Sequence, residues 1–297
     1  MINEAEMTKL ENNPLHIIHN FDRIRETLTS NGAPQWLKQY RQEAYERLCQ
    51  TGFPTVHDEE WKYTNITPVT SKSFKIAQTH TIIEADEFDQ YHDSNEINIV
   101  FVNGAYAKNY SHVNELPKGI TVLPLNEAVC DKVCEPVIKK IYDQQTTNRE
   151  SAFIALNRAF THEGVFINIA PNCVSKDLLH IIHITSTKEN DVIIQPRSVI
   201  FAGQSSQAAI LESHIGFDNK IRYLSNALSD IYVSENATLH YSKAQRESLN
   251  AFHLGYTRVW QERNSNFNSF SYMSGGKITR NNLDIMLNGE GSNTILN

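Results

Sequence analysis

The stretch that decides the fold is NALSDIYVSENATLHYSKAQ, residues 226–245. Its first half alternates apolar and polar side chains, so that Ile231 and Val233 share one face of a strand while Asp230 and Tyr232 share the other. A period of two residues is typical of a half-buried β-strand. The polar run SEN separates this strand from a second one of the same kind, and no helical segment lies between them.

The same pattern extends from Gly164 to Asn297, with a short strand roughly every 10–15 residues and asparagine-rich turns between the strands. Such strands without intervening helices predict a mainly β protein, in the form of a right-handed parallel β-helix whose coils stack along one axis. On pattern alone a β-sandwich is equally compatible. The expected strand centres are Phe166, Leu179, Ile193, Ile200, Ile210, Ile231, Leu239, Leu254, Phe270, Ile285 and Ile295.

In a β-helix, one face of each strand points into the coil and the other face points outward. The alternation therefore also predicts which side chains form the interior of the coils. Six residues are expected there, namely Ile231, Val233, Leu239, Tyr241, Leu283 and Ile285.

Composition narrows the class of protein. The 297 residues are 40% hydrophobic and 21% charged, enough to bury a large core in two domains. The chain carries 27 basic and 34 acidic residues and has no basic block, so we expect neither nucleic acid nor a membrane as a partner. It shows no signal-peptide pattern, and its four cysteines are not a disulfide framework, so we expect a cytoplasmic protein.

Two amphipathic helices are expected near the N-terminus, over residues 14–31 and 34–51, each ended by a glycine. A β-hairpin should follow, with strands at 97–102 and 105–110 joined by an Asn-Gly turn, and then a strand at 120–123. A long helical pattern runs from 125 to 160, with a polar break at 144–149.

The segment between the helices and the hairpin is extended and bounded by prolines. Within it, Trp61 is expected to be a buried anchor rather than a platform for a ligand. The adjacent Glu59 and Glu60 could form an acid–base site, but a structural role beside the anchor is the simpler interpretation. Together these elements predict an α+β N-terminal domain over 1–124, connecting helices over 125–160 and an incomplete β-helix over 161–297.

Five motifs, in order along the chain, resemble the SufB/SufD family. They are EEWKYT at 59–64, VFVNGAY at 100–106, ALNRAFTHEGVFI at 155–167, NALSDIYVSENATLHYSKAQ at 226–245 and NNLDIMLNGEGS at 281–292. The short N-terminal helices together with EEWKYT resemble SufD rather than SufB.

One motif departs from the family pattern. IAPNCV at 169–174 stands where the family usually has a Pro-Lys-Gly turn. Asn172 tolerates a positive φ nearly as well as glycine, so the turn should survive.

The resemblance implies a non-catalytic scaffold subunit of the SUF iron–sulfur cluster assembly machinery, the SufBCD complex. It implies pairing with a SufB-like subunit through the β-helix, and work with the ATPase SufC, to which the ATP belongs. It further implies that this chain binds no cofactor alone, and that iron or a transient cluster is held at the SufB–SufD interface.

The chain also resembles only the N-terminal two-thirds of such a protein, since the family continues beyond the equivalent of residue 291. The histidine implicated at the SufB interface and the helices that dock SufC belong to the later part. We therefore expect this chain to lack SufC binding and the assembly activity, and to carry no catalytic residue that can be assigned by the resemblance. Self-association through the last strand is a further possibility.

The residues themselves offer few candidates for chemistry. Cys130 and Cys134 lie four residues apart on an expected helix, where two thiolates could share a face and bind a metal. Packing as two small apolar residues is the simpler interpretation, and we expect no metal site there. Cys49 and Cys173 have no visible partner.

The histidines of the β region are more ambiguous. His180 and His183 are three residues apart on one strand, so they should point to opposite faces and not chelate together. His214, His240 and His253 lie on different strands, where a ladder across the coils is one alternative to separate hydrogen-bonded histidines.

A second function class is a β-helix enzyme, either a polysaccharide lyase or a glycoside hydrolase. Such an enzyme needs paired carboxylates at a set separation in a surface groove. The acidic residues of 160–297 are scattered instead, about one per coil or fewer, and no GxSxG or phosphate-loop motif is present. The sequence therefore favours the scaffold.

Overall fold

The computed structural model describes residues 17, 24, 26, 28, 32–78, 83, 88, 90–91, 96–113, 115–144, 151–160 and 163–297. Within these ranges the α-helices are α1 Gln35–Thr51, α2 Thr67–Thr70, α3 Leu125–Ala128, α4 Cys134–Tyr142 and α5 Ala152–Ala159. The strands of the N-terminal part are β1 Lys75–Ile76, β2 Ile97–Val102, β3 Ala105–Tyr106 and β4 Ile120–Pro124. The remaining strands are β5 Val165–Ile169, β6 Val174–Thr185, β7 Val192–Ile194, β8 Arg197–Ala202, β9 Gln207–Gly216, β10 Tyr223–Val233, β11 Thr238–Arg246, β12 Phe252–Gln261, β13 Asn266–Ser274, β14 Ile278–Leu287 and β15 Asn293–Leu296.

The strands form two sheets between which the chain passes again and again. Sheet 1 runs β1-β7-β10-β8-β5-β4, with β12 paired to β10 and β14 paired to β12. Sheet 2 runs β15-β13-β11-β9-β6-β2-β3. From β5 onward every pairing between coils is parallel and carries one coil onto the next, as in Leu224 with Phe252 and Phe252 with Ile278.

This topology is a β-solenoid of about four turns. The prediction of a parallel β-helix is confirmed, since every expected strand centre lies in one of the strands β5–β15, and the β-sandwich alternative is wrong. The right-handed sense stays a prediction, as does the division into an N-terminal domain, connecting helices and a β-helix domain. The strands β1, β2 and β4 of the N-terminal part pair with β7, β6 and β5, so they extend the same two sheets.

One corner of the solenoid is built from a column of residues with left-handed backbone. The turn expected at Asn172 is present, with a φ of 61°. The backbone N–H of Asn236 donates to the carbonyl of Arg263 in the next coil at 3.0 Å. The side chains of Asn264 and Asn236 are also hydrogen bonded, at 3.3 Å. Asparagine adopts this backbone more readily than most residues, which explains the asparagine-rich turns. The column comprises Asn172, Ser205, Asn236, Asn264 and Gly291.

The interior of the coils has the side chains that alternation predicts, with one correction. Ile231, Val233, Leu239 and Tyr241 are buried in one apolar cluster, against which Ile285 packs while half-buried. Leu283 is 37% exposed, so its expected burial is wrong. Leu283 lies on β14. Among the described strands only β12 pairs with β14, so no further strand covers Leu283 from the other edge.

The N-terminal elements follow the sequence with two differences. Helix α1 begins after Pro34 and ends at Gly52, whose φ is 62°. The expected helix over 14–31 lies almost wholly outside the described residues. The hairpin of β2 and β3 turns at Asn103 and Gly104, which both have positive φ. However, β3 ends at Tyr106, because a turn of 3₁₀-helix over 108–110 replaces the rest of the expected strand.

The long helical pattern is divided into α3, α4 and α5. Between α3 and α4 the chain leaves the helix because Asp131 Oδ1 accepts hydrogen bonds from the backbone N–H groups of Val133 and Cys134, at 2.8 and 2.9 Å. An aspartate in this position starts a new helix rather than continuing the old one. Most of the expected polar break lies outside the described residues, since 145–150 are not among them.

The helices cover the outer face of sheet 1, where Trp61 is the anchor that the sequence predicts. Its ring is 4% exposed and lies 5.7 Å from the ring of Phe153 on α5. The Arg280 guanidinium of β14 lies 4.4 Å above the same ring, and its Nη1 donates to the carbonyl of Glu60 at 2.8 Å. One side chain therefore joins the connector, a helix and the solenoid.

Replacing Trp61 with alanine should lower the free energy of unfolding by about 3–5 kcal/mol, because a large buried ring is lost and a cavity remains. Urea unfolding followed by circular dichroism measures the change. The matched control is Tyr63→Ala, since Tyr63 is 90% exposed, and its loss should stay within about 0.5 kcal/mol. Equal losses for the two variants would contradict the anchoring role.

A buried charge cluster lies under the same helices. Asp230 on β10 accepts two hydrogen bonds from Arg258, at 2.6 and 2.8 Å, and one from Arg197 at 2.5 Å. The guanidinium of Arg197 lies 5.0 Å from the centre of the Tyr142 ring of α4. Both arginines and the aspartate are almost completely buried. One carboxylate thus holds two cations between the sheet and the helices.

Candidate functional site

The interior of the solenoid has an apolar half and a polar half. Along each strand the inward residues begin as aliphatic side chains and continue as polar or ionisable ones, as in Ile210, Glu212 and His214 of β9. The inward residues at the polar end are buried, and the same change from apolar to polar occurs in neighbouring coils. The resulting polar chamber contains His183, Ser198, Glu212, His214, Tyr223, Ser229, Lys243, Glu247 and His253.

Glu212 is at the centre of one part of the polar chamber. It accepts hydrogen bonds from the hydroxyls of Tyr241, Ser229 and Ser198, at 2.5, 2.9 and 3.1 Å. Burial by itself would raise the pKa of this carboxyl, but contacts with two histidines and the charge of Lys243 hold the pKa well below its usual value. Glu212 is therefore a buried, ionised carboxylate.

Three histidines form a column that crosses three coils. The rings of His183 and His214 are stacked with centroids 5.0 Å apart, and the ring of His253 meets that of His214 edge-on, also at 5.0 Å. The expected ladder is thus present in part: it contains His214 and His253, and His183 takes the place of His240. His240 points outward from β11 and is exposed, with its Nδ1 3.4 Å from the Asn268 amide.

His180 and His183 point to opposite faces, as their spacing predicts. His180 Nε2 is hydrogen bonded to Ser213 at 2.8 Å on the outer side of β6, while His183 lies in the polar chamber.

Most ring nitrogens of the histidine column lack a hydrogen-bond partner among the described residues. His183 and His214 each place Nε2 near Glu212 Oε1, at 3.3 and 3.4 Å, without the angles of a hydrogen bond. Among the described residues, neither Nδ1 of these two rings nor Nε2 of His253 has a hydrogen-bond partner. Burial lowers the pKa of His214 to about 3, against the effect of Glu212, so this ring is neutral and keeps a free lone pair.

Glu247 closes the polar end of the chamber. It accepts a hydrogen bond from the hydroxyl of Tyr223, and its Oε1 lies 2.9 Å from Nδ1 of His253. Burial acts to raise the pKa of Glu247, but the contacts with His253, His214 and Tyr223 lower it overall. One donor atom from each of His214, Glu247 and His253 lies within 4.8 Å of the others.

Lys243 is a buried cation in the same chamber. It pairs with Glu212 in the register of β11 and β9, and burial lowers its pKa while the charge of Glu212 opposes the shift. Its Nζ has no hydrogen-bond partner among the described residues. The charge of Lys243 thus balances that of Glu212.

The cysteines expected to share a helical face do not do so. Cys130 lies in the turn after α3 and is exposed, whereas Cys134 begins α4 and is buried. Burial, with a smaller effect of Asp131, raises the pKa of Cys134 to about 11, so the surrounding protein keeps this thiol protonated. Cys49 is exposed, and the Cys173 thiol donates a weak hydrogen bond to the carbonyl of Lys118 at 3.4 Å.

Sequence reasoning missed Glu212, Lys243 and Glu247, although a signal for them exists. Glu212 and Lys243 each stand two residues from an inward side chain of the same strand, and Glu247 stands two residues after the inward Gln245, just past the end of β11, so continued alternation places all three in the interior. Glu212 and Lys243 are also the same number of residues apart in the sequence as other residues paired between β9 and β11, such as Ala208 and Leu239. Ionisable residues at the inward positions of the alternating pattern predict a polar chamber inside the coils.

No helix within the described ranges is long and apolar enough to cross a membrane.

Comparisons with known proteins give the family. Residues 12–181 match the model of the SufBD protein N-terminal region, and residues 183–297 match the SufBD core domain of SUF system FeS cluster assembly. The two matches follow each other along the chain in the order of N-terminal region and core.

Individual relatives agree with this match. The chain is 25% identical over 262 residues to an iron–sulfur cluster assembly SufBD family protein of Synechocystis, which covers 86% of this chain and 57% of the relative. It is 24% identical over 283 residues to the iron–sulfur cluster assembly protein SufD of Escherichia coli, covering 91% of this chain and 63% of the relative. It is 21% identical over 254 residues to the chloroplastic protein ABCI7 of Arabidopsis thaliana, covering 84% and 52%.

The chain therefore spans between 52% and 63% of the length of these three relatives. Its N-terminal elements fall under the first family model and its solenoid coils from β7 onward fall under the second. With both models matched over 12–181 and 183–297, the chain belongs to the SufBD family of the SUF iron–sulfur cluster assembly system.

Proposed function

We propose that this chain is a SufD-like scaffold subunit of iron–sulfur cluster assembly, with no active site of its own. It pairs with a SufB-like subunit through its solenoid, and the resulting complex works in the cytoplasm with a SufC-like ATPase, which supplies the nucleotide chemistry. Iron or a nascent cluster is cargo held between the two solenoid subunits. The similarity to Escherichia coli SufD over 91% of this chain supports the SufD-like assignment.

The observation that carries the pairing is an exposed aromatic pair on the outer face of sheet 2. Sheet 1 is covered by the helices, as the burial of Trp61 shows. The outer face of sheet 2 is covered around β2 and β6 by an apolar cluster that includes Ile83 and Phe88, but at β13 it presents Phe270 and Tyr272, which are 53% and 50% exposed. Aromatic residues that lie together on an uncovered surface are enriched in protein–protein interfaces.

The polysaccharide-active enzyme is less well supported. The solenoid carboxylates that the structure sets among polar side chains, such as Glu212 and Glu247, are 1% and 4% exposed. A glycosidase needs its carboxylates on both sides of a substrate bond, in a groove that a polymer can reach. Their burial therefore favours the scaffold.

Co-purification tests the pairing. The chain is co-expressed with the SufB-like subunit and, in a separate arm, with the SufC-like ATPase of the same organism. Replacing Phe270 and Tyr272 together with alanine should weaken recovery of the SufB-like partner at least roughly tenfold, since loss of interface aromatic residues costs 1 kcal/mol or more each. The control is Tyr63→Ala, an exposed aromatic residue outside the solenoid.

Rescue of iron–sulfur enzyme activity in cells that lack SufD tests the assignment to the assembly pathway. Failure to recover any SufB-like partner, with or without the aromatic pair, would overturn the proposed pairing.

A further inference from the structure

One cluster of potential metal ligands lies inside the solenoid, among the residues that the structure describes. It consists of His214 on β9, Glu247 just after β11, and His253 on β12. These residues belong to neighbouring coils, and all three are buried. Two imidazoles and one carboxylate are a donor set that suits ferrous iron or zinc.

The donors of this cluster are not used up by the protein. Both ring nitrogens of His214 and Nε2 of His253 lack a hydrogen-bond partner within the described part of the chain. The lone pairs of these two adjacent histidines are therefore available to a ligand.

The charge of Glu247 leads to the same conclusion. Its hydrogen-bond partners are the neutral hydroxyl of Tyr223 and the ring of His253, and no described lysine or arginine forms a salt bridge with it. Glu212, by contrast, has Lys243 beside it in the neighbouring strand. Any positive charge beside Glu247 would have to come from a histidine such as His253, whose Nδ1 is 2.9 Å away, whereas a bound metal ion would compensate this buried carboxylate and leave the histidines neutral.

The position next to the free nitrogen of His253 requires a glycine. Gly255 follows His253 by two residues on β12, so it occupies the same inward face. A Cβ at Gly255 would lie 2.0 Å from Oδ1 of Asn281 and 3.0 Å from Nε2 of His253, so any other residue would crowd both side chains.

We propose that His214, Glu247 and His253 bind a divalent transition-metal ion of the iron–zinc class inside the solenoid. Donors about 2.1 Å from a tetrahedral metal are about 3.4 Å apart, so the three donor atoms, now within 4.8 Å of one another, need only small side-chain movements. Glutamate and two histidines leave at least one position for water or another ligand. The inference is independent of the proposed pairing with a SufB-like subunit, which does not require an internal metal.

Metal titration of the purified protein tests the site. The protein is produced without a histidine tag, treated with a chelator, and titrated with ferrous iron under anaerobic conditions and with cobalt and zinc in separate arms. We expect one equivalent of ion per chain and a visible absorption spectrum for the cobalt form. Glu247→Gln and His253→Gln should each lower the affinity at least roughly 100-fold.

Two controls remove the same chemical groups elsewhere. His240→Gln changes an exposed histidine of β11, and Glu235→Gln changes a half-exposed carboxylate whose partner is Arg263, at 3.7 Å. Both should bind one equivalent with unchanged affinity. Circular dichroism of every variant shows whether it is folded.

X-ray absorption of the metal-loaded parent protein decides the matter even if the site variants fail to fold. We expect only nitrogen and oxygen donors, at about 2.0–2.2 Å, with imidazole scattering. Sulfur at about 2.3 Å would assign the ion to the cysteines and overturn the proposal. Stoichiometric binding that survives His253→Gln, or no binding of any of the three ions, would overturn it as well.

Discussion

Replacing Asp230 with asparagine should lower the free energy of unfolding by about 3–5 kcal/mol, as the loss of one partner from a buried ion cluster does. Asparagine keeps the size of the side chain but removes its charge. Arg197 and Arg258 would then remain as two buried cations without their carboxylate, beneath the helices that cover sheet 1. Urea unfolding monitored by both circular dichroism and tryptophan fluorescence measures the loss.

The matched control is Asp191→Asn. Asp191 also pairs with an arginine, Arg222 at 2.6 Å, but their side chains are 31% and 36% exposed. Exposed ion pairs contribute about 0–1 kcal/mol, so the control should lose little. Losses of the same size for Asp191→Asn and Asp230→Asn would show that the buried cluster does not tie the helices to the sheet.

Acid unfolding provides a second measurement of the same cluster. Burial alone would raise the pKa of Asp230, but Arg197 and Arg258 lower it from 3.8 to about 2. A lowered pKa in the folded state stabilises the protein above the unfolded value and is lost as the pH falls through the folded value. The parent should therefore lose this contribution between about pH 4 and pH 2, and the Asp230→Asn variant should not.

Ile231→Asp should abolish the soluble, folded protein, because the substitution places an unpaired charge in the apolar half of the interior. Ile231 is 0% exposed. Leu283→Asp makes the same kind of change on the same inward face, but Leu283 is 37% exposed, so this variant should express and lose less than about 1 kcal/mol. Soluble yield and thermal melting distinguish the two.

The comparison of Ile231→Asp with Leu283→Asp tests which side chains lie in the core, not whether the protein tolerates an added charge. A folded Ile231→Asp protein would mean that the inward and outward faces of β10 are exchanged. Equal damage from Leu283→Asp would mean that a further segment covers β14.

The sequence was sufficient for the strands because a period of two is a local property. Alternation around Ile231 and asparagine at turn positions such as Asn236 require no knowledge of distant residues. Leu283 was misjudged for the complementary reason: alternation gives the face of a side chain, whereas its burial depends on what packs over that face. The break between α3 and α4 is not evident from the sequence, because the apolar residues continue in a helical pattern past Asp131, whose side chain starts α4.

The polar chamber could be predicted only in part. Pairing His214 with His183 requires the register between β9 and β6, which depends on how many residues each corner takes up. The coils differ in length, because paired residues on β9 and β11, such as Ala208 and Leu239, lie further apart in the sequence than paired residues on β11 and β13, such as Leu239 and Phe267. The orientation of His240 does not need that register: it lies between Leu239 and Tyr241, which are both expected to face inward, so alternation alone turns His240 outward.

The parallel, in-register stacking of coils also sets the order in which the chamber can be completed during synthesis. In a stacked array, structure propagates from one repeat to the next, and the N-terminal repeats leave the ribosome first. His183 and His214 can meet once β6 and β9 have paired, whereas Glu247 and His253 arrive one coil later. The proposed ligand set would therefore be complete only after the coil that contains β12 has been added, so the chain could bind a metal ion there only late in its synthesis.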